Sequence, residues 1–428
     1  MLRQRLPLLL ACAVFLAVPA VLYACMWDYD TLKMERSRFP TTLELITGKF
    51  LRHSPEFYRW RIKDREQRIK DHPSEMALYD DLAVAYDKVG NDDKAIAIML
   101  DKERMAPGQY ETYANLGTFY LHSGQYEKGV EMIDKALQLN PDAHFGREKY
   151  QKYLAEYVAT RRKDGKITLP LRRQMSSPTN IPKNDEEGLD AFKAMQKENN
   201  FQSFVAKRER VDELSDPDRD RAIKGVLGMM KFGKHDSPIL LEVLGDLLVL
   251  KTDGEQPLGH GKELAARAYL RASYEVKEAK TRTDYRLMAE EAIRMRLPAY
   301  RSLSLEEMET YFKQELTDAD AWYADLRQKE IGWIHDGKNP ETEFDKLYVA
   351  EPESASPEPT GTSHTATLWW RWGLAIGIFL GCVALAVAVP IALFVWLWRR
   401  LNKRNELALA RQGLTTARVK NGAADQAL

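Results

Sequence analysis

Cysteine is nearly absent from this chain of 428 residues. Its three cysteines are Cys12, Cys25 and Cys382, and all of them lie in or beside apolar segments. The body between Met26 and Gly381 contains none, which excludes internal disulfides and thiolate metal sites there. A body without disulfides tolerates an oxidising or a reducing compartment, so cysteine usage leaves the compartment open.

The chain also lacks an excess of either charge and the common motifs of catalysis. Its 63 basic and 63 acidic residues favour neither nucleic acid nor an acidic substrate. The 8 histidines are scattered without His-x-x-x-His spacing, which disfavours a zinc site. Residues 259–262 (Gly-His-Gly-Lys) are followed by Glu263 and so fail the phosphate-loop spacing, and no Gly-x-Ser-x-Gly elbow is present. We therefore expect no enzyme, no cofactor, no metal and no nucleic-acid partner.

One long uncharged run lies near the C-terminus. Residues 373–398 contain no charged side chain, and this length exceeds the roughly 20 residues that a helix needs to span a bilayer. Trp370 and Trp372 precede the run, and Trp396 and Trp398 close it, as aromatic belts do at membrane interfaces. The sequence predicts one transmembrane helix over residues 373–398.

The charges on the two sides of this run predict its orientation. The tail, residues 399–428, is strongly basic, whereas residues 349–368 contain three glutamates and no basic residue. The positive-inside rule then places the tail in the cytoplasm and the body outside it. We expect a protein of the cytoplasmic membrane with an extracytoplasmic or periplasmic body, crossing once, or twice if the N-terminal segment is retained.

The N-terminus has the pattern of an export signal. Arg3 and Arg5 precede the apolar residues 7–24, and residues 22–25 (Leu-Tyr-Ala-Cys) resemble a bacterial lipoprotein box. Three alternatives stay open for residues 1–25: an export signal, cleaved or uncleaved; lipidation at Cys25; and a permanent signal anchor.

A period of 34 residues runs between residues 74 and 142. Four pairs of identical residues recur at that spacing: Tyr79 and Tyr113, Leu82 and Leu116, Tyr86 and Tyr120, and Pro107 and Pro141. Aromatic and leucine residues at helical spacing form an apolar stripe, and the glycines at 90 and 124 turn the chain between two helices. This pattern resembles the tetratricopeptide repeat, which implies stacked helical hairpins. The units depart from the family pattern at Lys102, where a small residue is expected, and at Gly129, where alanine is commoner.

The repeat array extends beyond these two units. Residues 55–71 are predicted to form a preceding helix and residues 145–158 a capping helix, so the tetratricopeptide domain covers residues 55–159. Residues 160–183, rich in proline and basic side chains, are predicted to be a linker. The fold class is therefore all-α.

A second helical domain is predicted over residues 184–347. Asp216 before Pro217 favours a helix start, and Ser304 with Glu307 favours a capping box. Residues 239–276 resemble a degenerate repeat unit, which makes this domain partly tetratricopeptide-like. Residues 348–372 are predicted to be a flexible tether to the membrane.

Residues 26–54 form an aromatic-rich segment that follows the export signal directly. It resembles the opening of uncharacterised bacterial tetratricopeptide proteins. We interpret it as a strap that packs on the first helices, with a binding epitope as the alternative.

The resemblance implies that a partner binds the concave wall of the repeats. The candidate partner-binding residues are Asp80, Val84, Asp87, Lys88, Glu111, Thr118, Leu121 and His122. This mildly acidic surface lacks the Lys/Asn/Arg set that holds a terminal carboxylate in chaperone-binding relatives. It suits a helix or an extended segment, including a basic one. The alternative is that these residues pack against residues 26–50 or the second helical domain.

These patterns favour a non-enzymatic scaffold of a bacterial cell envelope that holds a protein partner in the repeat groove. One alternative is an accessory subunit of an envelope enzyme or transport system, with recognition by residues 184–347. Another alternative is that residues 184–347 are an enzyme of unfamiliar type. A deep polar pocket with convergent titratable groups in that region would favour this alternative.

Overall fold

The structure, a computed structural model, describes residues 27–31, 38–141, 146–172, 200–251, 260–294 and 304–350. All of these lie in one compact unit, residues 1–361. The predicted export signal with Cys25, the transmembrane segment 373–398 and the tail 399–428 lie outside the described residues. Within the described ranges, no helix combines the length and the apolarity that a membrane crossing requires.

The first half of the unit is a series of helices. They are α1 (Thr42–Thr47), α2 (Pro55–Asp71), α3 (Met76–Lys88), α4 (Asp92–Met105), α5 (Tyr110–His122), α6 (Tyr126–Leu139) and α7 (Arg147–Ala159). The side chain of Ser54 caps α2 by accepting from the N–H of Phe57, and Asn91 caps α4 in the same way. Gly90 and Gly124 adopt left-handed backbone angles between paired helices, which explains why glycine stands at both predicted turns.

Helices α5 and α6 approach each other very closely. A Cβ atom added to Gly117 would lie 2.6 Å from Ile133, and one added to Gly129 would lie 2.5 Å from Leu121. Only glycine fits at these two positions without a shift of the neighbouring helix. The departure from alanine at Gly129 is therefore a packing feature of the second hairpin.

The second half begins with a two-stranded hairpin, β1 (Arg162–Lys163) and β2 (Lys166–Ile167), which is antiparallel. The helices that follow are α8 (Phe201–Glu209), α9 (Asp216–Phe232), α10 (Pro238–Leu248), α11 (His260–Glu275), α12 (Ala279–Arg294), α13 (Leu305–His335) and α14 (Pro340–Ala350). The predicted capping box of Ser304 and Glu307 opens α13, and Pro217 lies in the first turn of α9.

Residues 160–172 differ from a free linker. Besides the hairpin, Leu171 is buried, and the carboxylate of Glu242 on α10 accepts hydrogen bonds from the backbone N–H groups of Leu171 and Arg172, each at 2.9 Å. This half of the predicted linker is therefore docked, because its backbone amides donate hydrogen bonds to a buried carboxylate.

One apolar core joins the two halves. It contains Leu45 of α1, Tyr157 of α7, Val226 of α9, Leu244 of α10 and Tyr285 of α12. The last repeat helix thus packs directly on the helices that follow it, and the concave side of the repeats faces protein.

Candidate partner-binding groove

Residues 27–31 lie across the first helices of the two repeat units. The N–H of Trp27 donates to Oδ1 of Asn115 on α5 at 2.7 Å, and the Asn115 amide donates back to the Trp27 carbonyl at 3.0 Å. The N–H of Tyr29 donates to Oδ1 of Asp81 on α3 at 2.8 Å. Asp81 and Asn115 are 34 residues apart and occupy equivalent repeat positions. These contacts bind the backbone of Trp27 and Tyr29, and residues 29–31 form a short helical turn in the groove.

Arg61 of α2 holds the two aspartates of this segment. Its guanidinium is fully buried and donates to Asp28 at 3.0 Å and to Asp30 at 2.6 Å. Its Nε donates to Glu341 of α14 at 2.9 Å. Burial, together with the carboxylate of Asp30, raises the pKa of Asp28 to about 6, although Arg61 opposes the shift.

His53 lies buried between two carboxylates. Its Nδ1 is 2.6 Å from Glu330 of α13, and its Nε2 is 3.2 Å from Asp30. Burial by itself would lower the pKa of His53, but the carboxylates of Asp30 and Glu330 raise it to about 9. His53 is therefore an imidazolium at neutral pH, and it adds a second positive charge behind the segment.

Asp80 and Asp81 are neutralised from within the chain. Arg65 of α2 donates from Nε to Asp81 at 2.8 Å, which positions that carboxylate for the N–H of Tyr29. Lys102, buried on α4, donates to Asp80 at 2.6 Å. Burial raises the pKa of Asp80 to about 7, while Lys102 opposes the shift. Lys102, which stands where the repeat pattern has a small residue, therefore forms an ion pair with a buried carboxylate.

A cavity of about 310 Å³ opens beside the segment. One wall contains Asp28, Asp30 and Thr31, and another contains Arg52 with its guanidinium stacked 3.5 Å from the centroid of the Tyr323 ring. In the part of the chain that the structure describes, no carboxylate lies within 4.0 Å of Arg52. Burial lowers its pKa.

Residues 231–236, at the end of α9 and in the loop before α10, also line this cavity. They contribute Lys231, Lys234 and His235 among others. Burial, followed by the charges of Arg52 and other basic side chains, lowers the pKa of His235 well below its usual value. The charged side chains on this side of the cavity are therefore the two lysines and Asp236.

Residues 110–143 match the family model of the tetratricopeptide repeat. The match covers α5 and α6, so the second predicted repeat unit is confirmed, and such a repeat suggests a role in protein–protein interaction. No curated protein matches the chain.

Most of the candidate residues on the tetratricopeptide wall are covered. Six are buried, namely Asp80, Val84, Asp87, Thr118, Leu121 and His122, while Lys88 and Glu111 are half-buried. Partner binding by these eight residues stays a prediction, and their burial limits how much of them a partner can contact without displacing other parts of the chain. Their burial agrees with the alternative in which they pack against the strap and the second helical region.

The contacts of these candidates are internal. Nδ1 of His122 lies 2.6 Å from Asp87, and Thr118 accepts from the amide of Gln151 at 3.0 Å. Lys88 donates to the carbonyl of Phe232 at 2.7 Å. The carboxylates of Asp80 and Asp87 are paired within the chain, whereas Arg61 and His53 contact the docked segment.

Asp87, Asp92 and His122 could together hold a metal ion. Their ligand atoms lie within 4.8 Å of one another. An ion there would have to replace the hydrogen bond between His122 and Asp87, and that bond already satisfies both groups.

Sequence reasoning missed the residues that hold the docked segment. Phe57, Arg61 and Arg65 recur every fourth residue on α2 and share its buried face, a spacing that could have singled out the two arginines. Glu330 and Glu341 carry no such signal, because they reach the groove from the far end of the unit.

Proposed function

We propose that this chain is a non-enzymatic interaction protein of a bacterial cell envelope that binds a protein partner through its tetratricopeptide repeats outside the cytoplasm. Residues 373–398 anchor it in the cytoplasmic membrane, and the basic residues 399–428 lie in the cytoplasm near anionic lipid heads. The uncharged run, its charge asymmetry and the export-like N-terminus support this placement.

The pairing of Asn115 with the backbone of Trp27 carries the proposal. A side-chain amide that both donates to and accepts from one residue's backbone binds that backbone independently of the residue's own side chain. It does so on a repeat of a kind that usually mediates protein interaction rather than catalysis.

A second candidate is an accessory subunit of an envelope enzyme or transport system. The participation of residues 231–236 in the cavity wall favours it, since recognition then involves the second helical region as well as the repeats. The polar cavity lies between these two parts rather than within residues 184–347 alone.

Cross-linking in spheroplasts tests the proposal. A membrane-impermeant amine cross-linker is added to intact spheroplasts, and the full chain is then captured by a C-terminal tag and its cross-linked partners identified by mass spectrometry. We expect a protein partner from intact spheroplasts, and its loss in Asn115→Ala, because that change removes both bonds to the docked backbone.

The matched control is Gln138→Ala, an exposed change on α6 that leaves the groove intact. Cross-links that form only after the spheroplasts are broken contradict the placement outside the cytoplasm. Identical partners for Asn115→Ala and Gln138→Ala contradict recognition by the groove.

A further inference from the structure

We propose that residues 27–31 are an intramolecular ligand of the groove, and that the protein partner displaces them with an acidic segment of its own. This inference rests on the proposed function of the groove as a partner site. It adds the chemistry of the partner and the contact that the partner must replace.

Residues 27–31 are held in a way that permits exchange. Their contacts include backbone hydrogen bonds and ion pairs, and neither of their aromatic side chains is buried. Tyr29 is 46% exposed, and Trp27 meets Tyr110 edge-to-face at 6.0 Å between ring centroids. Asp30 and Thr31 are buried, so exchange requires an incoming segment that replaces their contacts.

The positive side chains that contact residues 27–31 favour an acidic segment in the groove. Arg61 and His53 are both buried and positively charged, and both contact Asp30. Without the segment, Arg61 loses two of its three carboxylates and retains only Glu341, which it shares with Arg65, while His53 retains Glu330. Leaving buried charge unmatched costs several kcal/mol, so a neutral or basic segment is disfavoured. The two aspartates at positions 28 and 30 therefore define what a competing segment must carry.

The cavity gives a partner contacts that residues 27–31 do not make. Asp28, Asp30 and Thr31 form one wall of this space of about 310 Å³, and Arg52 faces it from another. No carboxylate within the described ranges approaches Arg52 to 4.0 Å. A partner segment that continues from the groove with a further carboxylate can enter this cavity and pair with Arg52, which the docked segment does not do.

The covalent connection between residues 27–31 and the rest of the chain explains why these residues occupy the groove. Because only residues 32–37 separate them from Arg38, their effective concentration at the groove is on the order of millimolar. A free peptide with the same contacts therefore competes poorly. Weakening the contacts of residues 27–31 raises the apparent affinity of that peptide for the groove.

Two substitutions at Tyr29 test this competition. Proline at position 29 removes the N–H that donates to Asp81, whereas alanine keeps it and removes only the half-exposed side chain. Proline is tolerated at the start of the short helical turn at residues 29–31, so the body should fold in both variants.

The probe is a fluorescein-labelled peptide with the sequence of residues 26–31, measured by fluorescence anisotropy against the full chain in detergent micelles. Tyr29→Pro should bind it about tenfold more tightly than Tyr29→Ala, since a hydrogen bond to a carboxylate contributes roughly that factor. Adding Asn115→Ala to Tyr29→Pro should abolish the gain.

Two further peptides test whether the groove and the cavity prefer acidic side chains. A peptide with asparagine in place of both aspartates should bind at least about tenfold more weakly. A peptide extended by two glutamates should bind more tightly than the parent, and Arg52→Gln should remove that advantage. Equal affinities of Tyr29→Pro and Tyr29→Ala, or equal binding of the aspartate and asparagine peptides, would overturn the inference.

The failure of this inference is distinguishable from that of the proposed function. Partners cross-linked in spheroplasts, together with no difference between the Tyr29 variants, would retain the interaction function and reject the intramolecular ligand. A clear difference between the Tyr29 variants without any cross-linked partner would retain the intramolecular ligand and reject the proposed envelope role.

Discussion

At the scale of single residues, the groove is organised by buried charges. His53 lies between Asp30 and Glu330, and Arg61 joins Asp28 and Asp30 to Glu341. Buried ion pairs add little net stability, but removing one partner is costly because it leaves an unmatched charge in a low dielectric. These residues therefore determine which segment docks more than they strengthen the fold.

His53 makes stability depend on pH. Its pKa of about 9 in the folded chain exceeds the ordinary value of 6.5, so the charged form is favoured by folding. The stabilisation is fully present below about pH 6.5, is lost as the pH rises through about 9, and amounts to at most about 3 kcal/mol. Urea unfolding of the full chain in detergent, followed by tryptophan fluorescence across this range, measures the loss.

Two variants separate this effect from other titrations. In His53→Gln the free energy of unfolding should change much less between pH 6.5 and 9, whereas His335→Gln, at an 88% exposed side chain, should behave like the parent chain. An unchanged slope in His53→Gln would show that another group is responsible.

At the scale of elements, the second repeat hairpin is packed more tightly than the first. Gly117 and Gly129 occupy the positions that hold Ala83 and Ala95 one repeat earlier. The two glycines let the backbones of α5 and α6 approach to a distance at which a Cβ atom has no space. The hairpin that matches the family model is thus also the one with the least tolerance for added volume.

Gly129→Ala should therefore destabilise the protein by about 1–3 kcal/mol, because the new methyl group meets Leu121 at 2.5 Å and the carbonyl of Gly117 at 3.1 Å. Gly332→Ala is the matched control. Gly332 is a helical glycine with nothing within 4 Å of the added atom, and alanine there should stabilise α13 by about 0.5–1 kcal/mol. Urea unfolding measures both, and a neutral Gly129→Ala would contradict the close packing.

The helices were predictable where the signal is local. The 34-residue spacing of Tyr79 and Tyr113 follows from a repeated hairpin, and Ser304 with Glu307 signals a helix start within four residues. Exposure of the concave wall was not predictable from that spacing. Whether Val84 or Thr118 faces water depends on segments far away in sequence, and the resemblance to a repeat contains no information about them.

At the scale of the whole molecule, the groove is assembled from the two ends of the described unit. Glu330 contacts His53 across 277 positions, and Glu341 contacts Arg61 across 280. Pairs so far apart in sequence produce no periodic pattern. Only the folded chain therefore shows that α13 and α14 contact His53 and α2 in this way. The eight candidate residues were inferred from the repeats alone, and six of them are buried in the folded chain.

Hydrogen–deuterium exchange of residues 27–31 in the full chain tests the occupied groove most directly. The amides of Trp27 and Tyr29 donate to Asn115 and Asp81, so their exchange should be slowed in the parent chain. In Asn115→Ala the exchange of this segment should be at least about tenfold faster, while that of α10 stays unchanged. Exchange of residues 27–31 at the rate of an unstructured peptide in the parent chain would contradict the docked segment and the partner chemistry inferred from it.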